Sequence, residues 1–260
     1  MATFLFDEII FGPVKSRRLG VSLGINLLPV NRKFCNFDCI YCECGWSADI
    51  EKVKSQLPAR AEVFTALDNK LSAMKEKGEK PDVITYAGNG EPTLHPEFHG
   101  IIDDSLALRD KYFPTARIAV LSNATTINRP DVKSALLKVD MKILKLDSAF
   151  GSTVKVHNQP NKHLDVGELI NNLAGFGGNL IIQTLFLRGK FRDALIDNTT
   201  EEELSAWLKA IEKIRPSEVM IYTISRDTPV GGELVKVPAG ELTEIARRVE
   251  KLGIKTQVSA

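Results

Sequence analysis

At 260 residues and 43% hydrophobic content, the chain is long enough for one large α/β domain or two small ones, and a single barrel is routine at that length. Lys and Arg number 34 against 33 Asp and Glu, a formal net charge of +1, so no global field draws it to nucleic acid or a membrane. The first residues lack the pattern of a signal peptide and no apolar run approaches the ~18 residues of a membrane span, so the expectation is a cytoplasmic protein without a membrane partner.

Residues 1–20 read as a lead-in segment, with Phe11-Gly12-Pro13 followed by the basic group Lys15, Arg17 and Arg18. These charges read as solvated, with one arginine as a candidate for a substrate anion. Val21 to Leu28 forms an apolar strand, buried on both faces if the sheet is parallel. Its end delivers a cysteine-rich loop, and residues 45–58 are polar and irregular. Ala59 to Lys77 is apolar at Val63, Leu67, Leu71 and Met74, a helical interval closed by Gly78. Asp82 to Tyr86 is the next strand and runs straight into Gly88-Asn89-Gly90-Glu91-Pro92.

The alternation then repeats. A helix over 96–112, begun by His95 and Pro96, precedes a strand Arg117 to Leu121 with Ser122-Asn123 at its end. A helix over 130–138 precedes the strand Met141 to Leu146 and Asp147. Asp165 caps a helix over 165–174, and Leu180 to Leu187 follows as strand. Thr200-Glu201-Glu202-Glu203 has the form of a capping box for a helix through Ile214. Glu218 to Ile224 is strand, Gly240 to Leu252 helix, and Ile254 to Val258 a short last strand. Strands alternating with helices of this length imply parallel pairing through crossovers, in an open doubly wound sheet or a partial barrel. No internal repeat or linker marks a boundary, so 1–260 is expected to be one domain.

All four cysteines fall within ten residues, at 35, 39, 42 and 44, whereas a disulfide framework would spread them to close long loops. Clustering favours a metal. Zinc takes four ligands, usually as two separated pairs; no second pair exists, and the histidines at 95, 99, 157 and 163 have no zinc-finger spacing to the cysteines. His157 and His163 read as surface residues. A four-iron cluster normally takes four thiolates, so a compact trio leaves one iron open.

The CxxxCxxC spacing of Cys35, Cys39 and Cys42, the aromatic Tyr41 within its last CxxC and the Gly88–Pro92 stretch resemble the radical S-adenosylmethionine (SAM) superfamily. The likeness spans most of the chain and, between the two architectures, implies a partial (β/α)6 TIM-like barrel over residues 21–258. It implies that Cys35, Cys39 and Cys42 hold a [4Fe-4S] cluster whose open iron chelates SAM. An electron from the cluster would then split SAM to a 5′-deoxyadenosyl radical that abstracts hydrogen from a substrate. It also implies an external one-electron donor of flavodoxin or ferredoxin type.

By the same resemblance Gly88, Asn89, Gly90 and Glu91 seat the ammonium of SAM, although a plain strand-to-helix turn would also explain the glycines. Tyr41 lies near the adenine or simply packs beneath the loop, and Phe37 packs. Ser122 and Asn123 suit the ribose hydroxyls or the carboxylate of SAM, or cap a turn. Asp147 is a candidate for ribose or substrate and Lys145 for a carboxylate. Gln183, Thr184 and Thr223 point into the barrel toward nucleoside or substrate. Arg188, Lys190 and Arg192 form a short basic patch, solvated or anion-binding. Cys44 is a spare thiol under this reading; as a fourth ligand it would make the protein a non-catalytic electron carrier or redox sensor. The substrate is left open among an RNA base, a peptide or protein and a small molecule. The Arg18 to Pro29 region and the Gly-Asn-Gly-Glu-Pro form look most like small iron–sulfur oxidoreductases classed beside wyosine-type tRNA-modifying enzymes.

Overall fold

A computed structural model of the chain describes residues 4–16, 18–47, 57–226 and 228–260; Arg17 and most of the 45–58 stretch lie outside these. The chain first forms an antiparallel hairpin of β1 (Ile10–Ser16) and β2 (Gly20–Ile25). Alternation follows through α1 (Arg60–Glu76), β3 (Val83–Tyr86), α2 (Phe98–Tyr112), β4 (Arg117–Ser122), α3 (Pro130–Lys138) and β5 (Met141–Lys145). Then come α4 (Gly151–His157), α5 (Val166–Ala174), β6 (Ile181–Leu185), β7 (Leu187–Phe191), β8 (Ala194–Asp197), α6 (Glu201–Ile214) and β9 (Glu218–Tyr222). The chain ends with β10 (Leu234–Lys236), α7 (Ala239–Glu250) and β11 (Lys255–Ser259).

One curled sheet runs in the order β1-β2-β3-β4-β5-β6-β9-β11, with every pairing from β2 onward parallel. This is the expected partial barrel with outer helices. Its strands are near-continuous apolar runs because both faces are covered: all four side chains of β3 are buried. The outer face packs against α1, whose Val63, Leu67, Leu71 and Met74 are buried as their spacing requires.

Inside the barrel, Leu19, Val83, Ala119, Met141, Ile143, Ile181 and Met220 pack across the amino-terminal end of the sheet and close its base. Polar groups begin above this layer, starting with a hydrogen bond between the Ser22 and Thr85 hydroxyls at 2.8 Å. The two ends of the curled sheet approach at the base, where Gln257 Nε2 on β11 donates to the carbonyl of Arg18 in the β1–β2 turn at 3.4 Å.

Five expectations need correction. The lead-in segment is strand β1, carried at the sheet edge where Pro13 needs no ladder donor, with the Phe11 ring lying over Gly24. The stretch after β6 folds as a second, antiparallel sheet in the order β10-β7-β8, short enough to escape a reading keyed to helix crossovers. Helix α4 was not anticipated, and it carries His157, which is buried. Phe98, not His95 or Pro96, begins α2, because a single 3-10 turn over Pro92–Leu94 comes first and ends at His95. Thr200 caps α6, but Glu203 does not close the box: its carboxylate accepts from Ser148 and Thr153 instead.

Candidate active site

Two loops at the carboxyl ends of β2 and β3 interlock. The Asn26 carboxamide accepts from Leu28 N at 3.2 Å and from Asn89 N at 3.1 Å, tying the exit of β2 to the exit of β3. Phe34 then crosses over Gly90: its N donates to Asn89 O at 2.7 Å and its carbonyl accepts from Glu91 N at 3.1 Å. Gly90 has φ +141°, and a Cβ there would fall on the Phe34 carbonyl, so glycine is required by this close approach. On its far side the cysteine loop is clasped by the end of α4 and the segment after it, through Ile40 N to His157 O at 3.0 Å and Asn161 N to Asn36 O at 3.0 Å.

The loop faces a cavity of about 320 Å³ at the carboxyl ends of the strands. Cys35, Cys39, Cys42 and Cys44 line it together with Tyr41, Gly88, Gly90, Glu91, Ser122, Asn123, Gln183 and Thr223. Cys35 and Cys39 are buried and Cys42 and Cys44 partly so. Burial pushes the thiols of Cys35 and Cys39 up. Cys42 and Cys44 share a hydrogen bond that draws the Cys42 thiol down and raises that of Cys44. Behind the loop the side chain of Lys33 is 1% exposed and donates to Gly45 O at 3.0 Å and Asp38 Oδ1 at 3.3 Å. Burial opposes its charge, but the negative charges of Cys42, Cys35 and Cys39 when ionised as thiolates and of the Asp38 carboxylate outweigh that and hold the ammonium above its usual range.

Opposite the cysteines, Glu91 is buried with both oxygens engaged. Oε1 accepts from Thr93 N at 3.1 Å, Thr93 Oγ1 at 2.5 Å and Ser122 Oγ at 2.8 Å, while Oε2 accepts from Asn123 N at 2.6 Å. Burial pushes its carboxyl up, and the bonds from Asn123, Thr93 and Ser122 pull it back. The Asn123 amide donates to Asn36 Oδ1 at 2.7 Å, joining the end of β4 to the cysteine loop.

A second network lies at the end of β5. The Tyr41 hydroxyl donates to Asp147, and Asn158 Nδ2 donates to Asp147 Oδ2 at 2.7 Å and Tyr41 Oη at 2.8 Å. Lys145 Nζ lies 3.5 Å from Asp147 Oδ1 and donates to Tyr222 Oη at 3.1 Å.

No protein-family model matches the chain. It is 30% identical over 238 residues to the UPF0026 protein MJ1312 of Methanocaldococcus jannaschii, which covers 90% of this chain and 68% of that protein. The chain belongs to the UPF0026 family. A 31% identical match over 226 residues to the GTPase Obg of Brachyspira hyodysenteriae covers 84% of the chain but only 30% of that protein, so the chain spans under a third of its length. Among solved structures, a radical SAM methyltransferase of Sphaerobacter thermophilus superposes with a TM-score of 0.67 at 13% identity, over 92% of this chain and 65% of that one. SuiB of Streptococcus suis, bound to the precursor peptide SuiA, superposes at 0.62 and 12% identity, over 91% and 48%. These likenesses are of fold: the UPF0026 chain has the radical SAM fold.

In this UPF0026 chain most of the expected site residues come together around this cavity; Asn89, Asp147, Thr184 and the basic patch of Arg188, Lys190 and Arg192 do not line it. Asn89 is fully buried and donates to Pro29 O at 2.9 Å and Phe6 O at 2.8 Å, so it joins segments and does not face the cavity. Asp147 is turned away toward Tyr41, Asn158 and the amide of Leu185. Thr184 donates to Leu146 O at 2.7 Å and lies in the core. His157 is buried, its ring drawn down to about 4 by burial, while His163 is exposed as expected. Arg188 is held by Asp197, Thr199 and Glu241. Lys33, Glu43, Tyr222, Ser259 and Arg226 line the cavity and were not anticipated, because nothing in local sequence marks a residue brought in by the fold.

Among the described residues no three His, Cys, Asp or Glu side chains are drawn tightly around a single point, so the fit of a metal group rests on donor chemistry. Three thiols on one wall, a buried ammonium behind them and a cavity in front suit an anionic iron–sulfur cluster.

Proposed function

We propose that this chain is a radical SAM enzyme. Cys35, Cys39 and Cys42 would hold a [4Fe-4S] cluster, and SAM would occupy the adjoining cavity. When bound, the cluster supplies one electron to SAM, whose carbon–sulfur cleavage yields a 5′-deoxyadenosyl radical for hydrogen abstraction. The observation that carries the reading is that three thiols, the Gly88–Glu91 turn and the Ser122-Asn123 end of β4 all meet at one cavity.

The chain's own residues then have separable tasks. Glu91 offers a buried carboxylate, already oriented by Ser122, Thr93 and Asn123, to the ammonium of SAM. Gly88 and Gly90 let backbone line the cavity without side chains in the way. Tyr41, held by Asp147 and Asn158, presents its ring toward the adenine, and Gln183 and Thr223 serve nucleoside or substrate. Asn89 and Asp147 act as positioning residues. The barrel wall keeps water and stray C–H bonds from the radical. Reduction would come from an outside donor of flavodoxin or ferredoxin type. The substrate class is an RNA base, a peptide or a small molecule, in keeping with a cytoplasmic enzyme; no described helix is long and apolar enough to cross a membrane.

A second reading, an electron carrier or redox sensor, draws on Cys44, whose thiol lines the same cavity and bonds to Cys42. Anaerobic reconstitution with iron and sulfide, then dithionite and SAM, separates the two. The enzyme reading expects 5′-deoxyadenosine from the wild type and from Cys44→Ala, and loss of cluster iron in Cys42→Ala. An intact cluster that leaves SAM uncleaved, or iron lost from Cys44→Ala, would overturn it in favour of the carrier.

A further inference from the structure

Arg18 sits in the turn between β1 and β2, at the base of the barrel, yet its guanidinium reaches the cavity at the other end. Its backbone is fixed: N donates to Ser16 Oγ at 3.3 Å, and its carbonyl accepts from Gln257. The side chain rises through the interior to lie 5.0 Å from the centroid of the Tyr222 ring. There it borders both the main cavity and a smaller chamber of about 160 Å³ beneath it, walled by Phe11, Thr85, Ile143 and Met220. Nη1 is buried and has no hydrogen-bond partner.

The other cations lining the cavity are matched. Lys33 has Asp38, Lys145 has Asp147, and Arg226 at the mouth has Glu43 at 2.6 Å. Among the described residues Arg18 has no carboxylate partner; its charge meets only the face of Tyr222. Burying a guanidinium N–H without an acceptor costs free energy that nothing in the protein returns. A carbonyl ligand would answer the hydrogen bond but leave the charge, whereas an oxyanion answers both, and the planar fork of arginine matches carboxylate and phosphate geometry.

We propose that Arg18 is a substrate-binding residue, and that the substrate carries a carboxylate or phosphate that enters the barrel and is seated on its guanidinium. The proposal rests on the reading above, in which SAM occupies the cysteine end of the cavity and leaves the deeper interior to the substrate. The depth of Arg18 restricts the anion to a terminal or side-chain group narrow enough to pass the cavity; a phosphate within a nucleic-acid duplex does not reach it.

The test is calorimetric titration of acetate and, separately, inorganic phosphate into the reconstituted protein in chloride-poor buffer, with SAM present and no reductant. At least one anion is expected to bind saturably; acetate alone marks a carboxylate substrate, phosphate alone a phosphate, and both an oxyanion site open to either. Arg18→Gln should weaken that binding at least tenfold, and Arg18→Lys, which keeps the charge, should weaken it less. The melting temperature and cluster absorbance of each variant check that it is folded and loaded. The proposal is overturned if neither anion saturates, if Arg18→Gln binds as the wild type does, or if Arg18→Gln loses SAM affinity tenfold, which would put Arg18 in the SAM site. Wild-type protein that fails to bind SAM but binds an anion through Arg18 would sink the functional reading and keep only the oxyanion site at Arg18.

Discussion

The two walls of the cavity are built by different physics. On the β2–β4 side the buried carboxylate of Glu91 is answered by neutral donors from Thr93, Ser122 and Asn123, and the shape is set by backbone crossing where no Cβ fits. On the β5–β9 side Lys145, Asp147, Tyr41 and Tyr222 form a network of ionisable groups in which each depends on the next. Burial pushes the Tyr41 hydroxyl up, with Asp147 adding to it; burial opposes the charge of Lys145, but Asp147 and Tyr222 hold that ammonium above its usual range. The first wall should be intolerant of added volume and the second of altered charge.

The largest effect is expected from Gly90→Ala. The new methyl would land on the Phe34 carbonyl at a backbone angle that L-residues rarely adopt, so the Phe34–Gly90 crossing must open. A loss of about 5 kcal/mol, with failure to retain iron after reconstitution, is expected in chemical denaturation. A variant that unfolds within 1 kcal/mol of wild type, on the order of ordinary surface scatter, would show that sterics do not set this wall.

Asp147→Ala comes next. It strands the Lys145 ammonium, whose side chain is only 15% exposed, leaves the Tyr41 hydroxyl without its acceptor and takes one of two oxygen acceptors from the Asn158 amide. About 4 kcal/mol of destabilisation is expected. Adding Lys145→Met should recover part of it, and strict additivity in that double-mutant cycle would contradict the coupling described for this wall.

The smallest effect concerns His157, whose backbone carbonyl clasps the cysteine loop. Burial lowers its ring from 6.5 to about 4. Between those values the unfolded chain binds a proton that the folded chain refuses, so stability falls as pH drops through the window, by at most about 3 kcal/mol. His157→Gln should flatten the dependence of the unfolding free energy on pH between 6.5 and 4. An unchanged slope in the variant would assign the effect to other groups.

Much of the first wall was legible in the sequence, because its parts are local. Cys35, Cys39 and Cys42 share one loop, Gly88, Gly90 and Glu91 one turn, and Ser122-Asn123 one strand end, so spacing and strand position, together with the resemblance to the radical SAM superfamily, marked them as candidates. The second wall was less legible, because its members come from distant segments. Asp147 reads as a cavity residue from its place after β5, yet Asn158, eleven residues on, turns it to Tyr41. Asn158 and the burial of His157 depend on α4, a seven-residue helix too short for periodicity to announce.

The sequence by itself determined the alternation of strand and helix, the carboxyl-end location of the candidate site and the cysteine trio, since each follows from residue order within a few turns of chain. Tertiary structure alone decided which polar groups face the cavity and which are spent on holding it, and that Arg18, written at the base of the sheet, ends beside Tyr222. Those outcomes depend on sheet curvature and on buried groups finding partners far away in sequence, and neither is encoded in any single stretch.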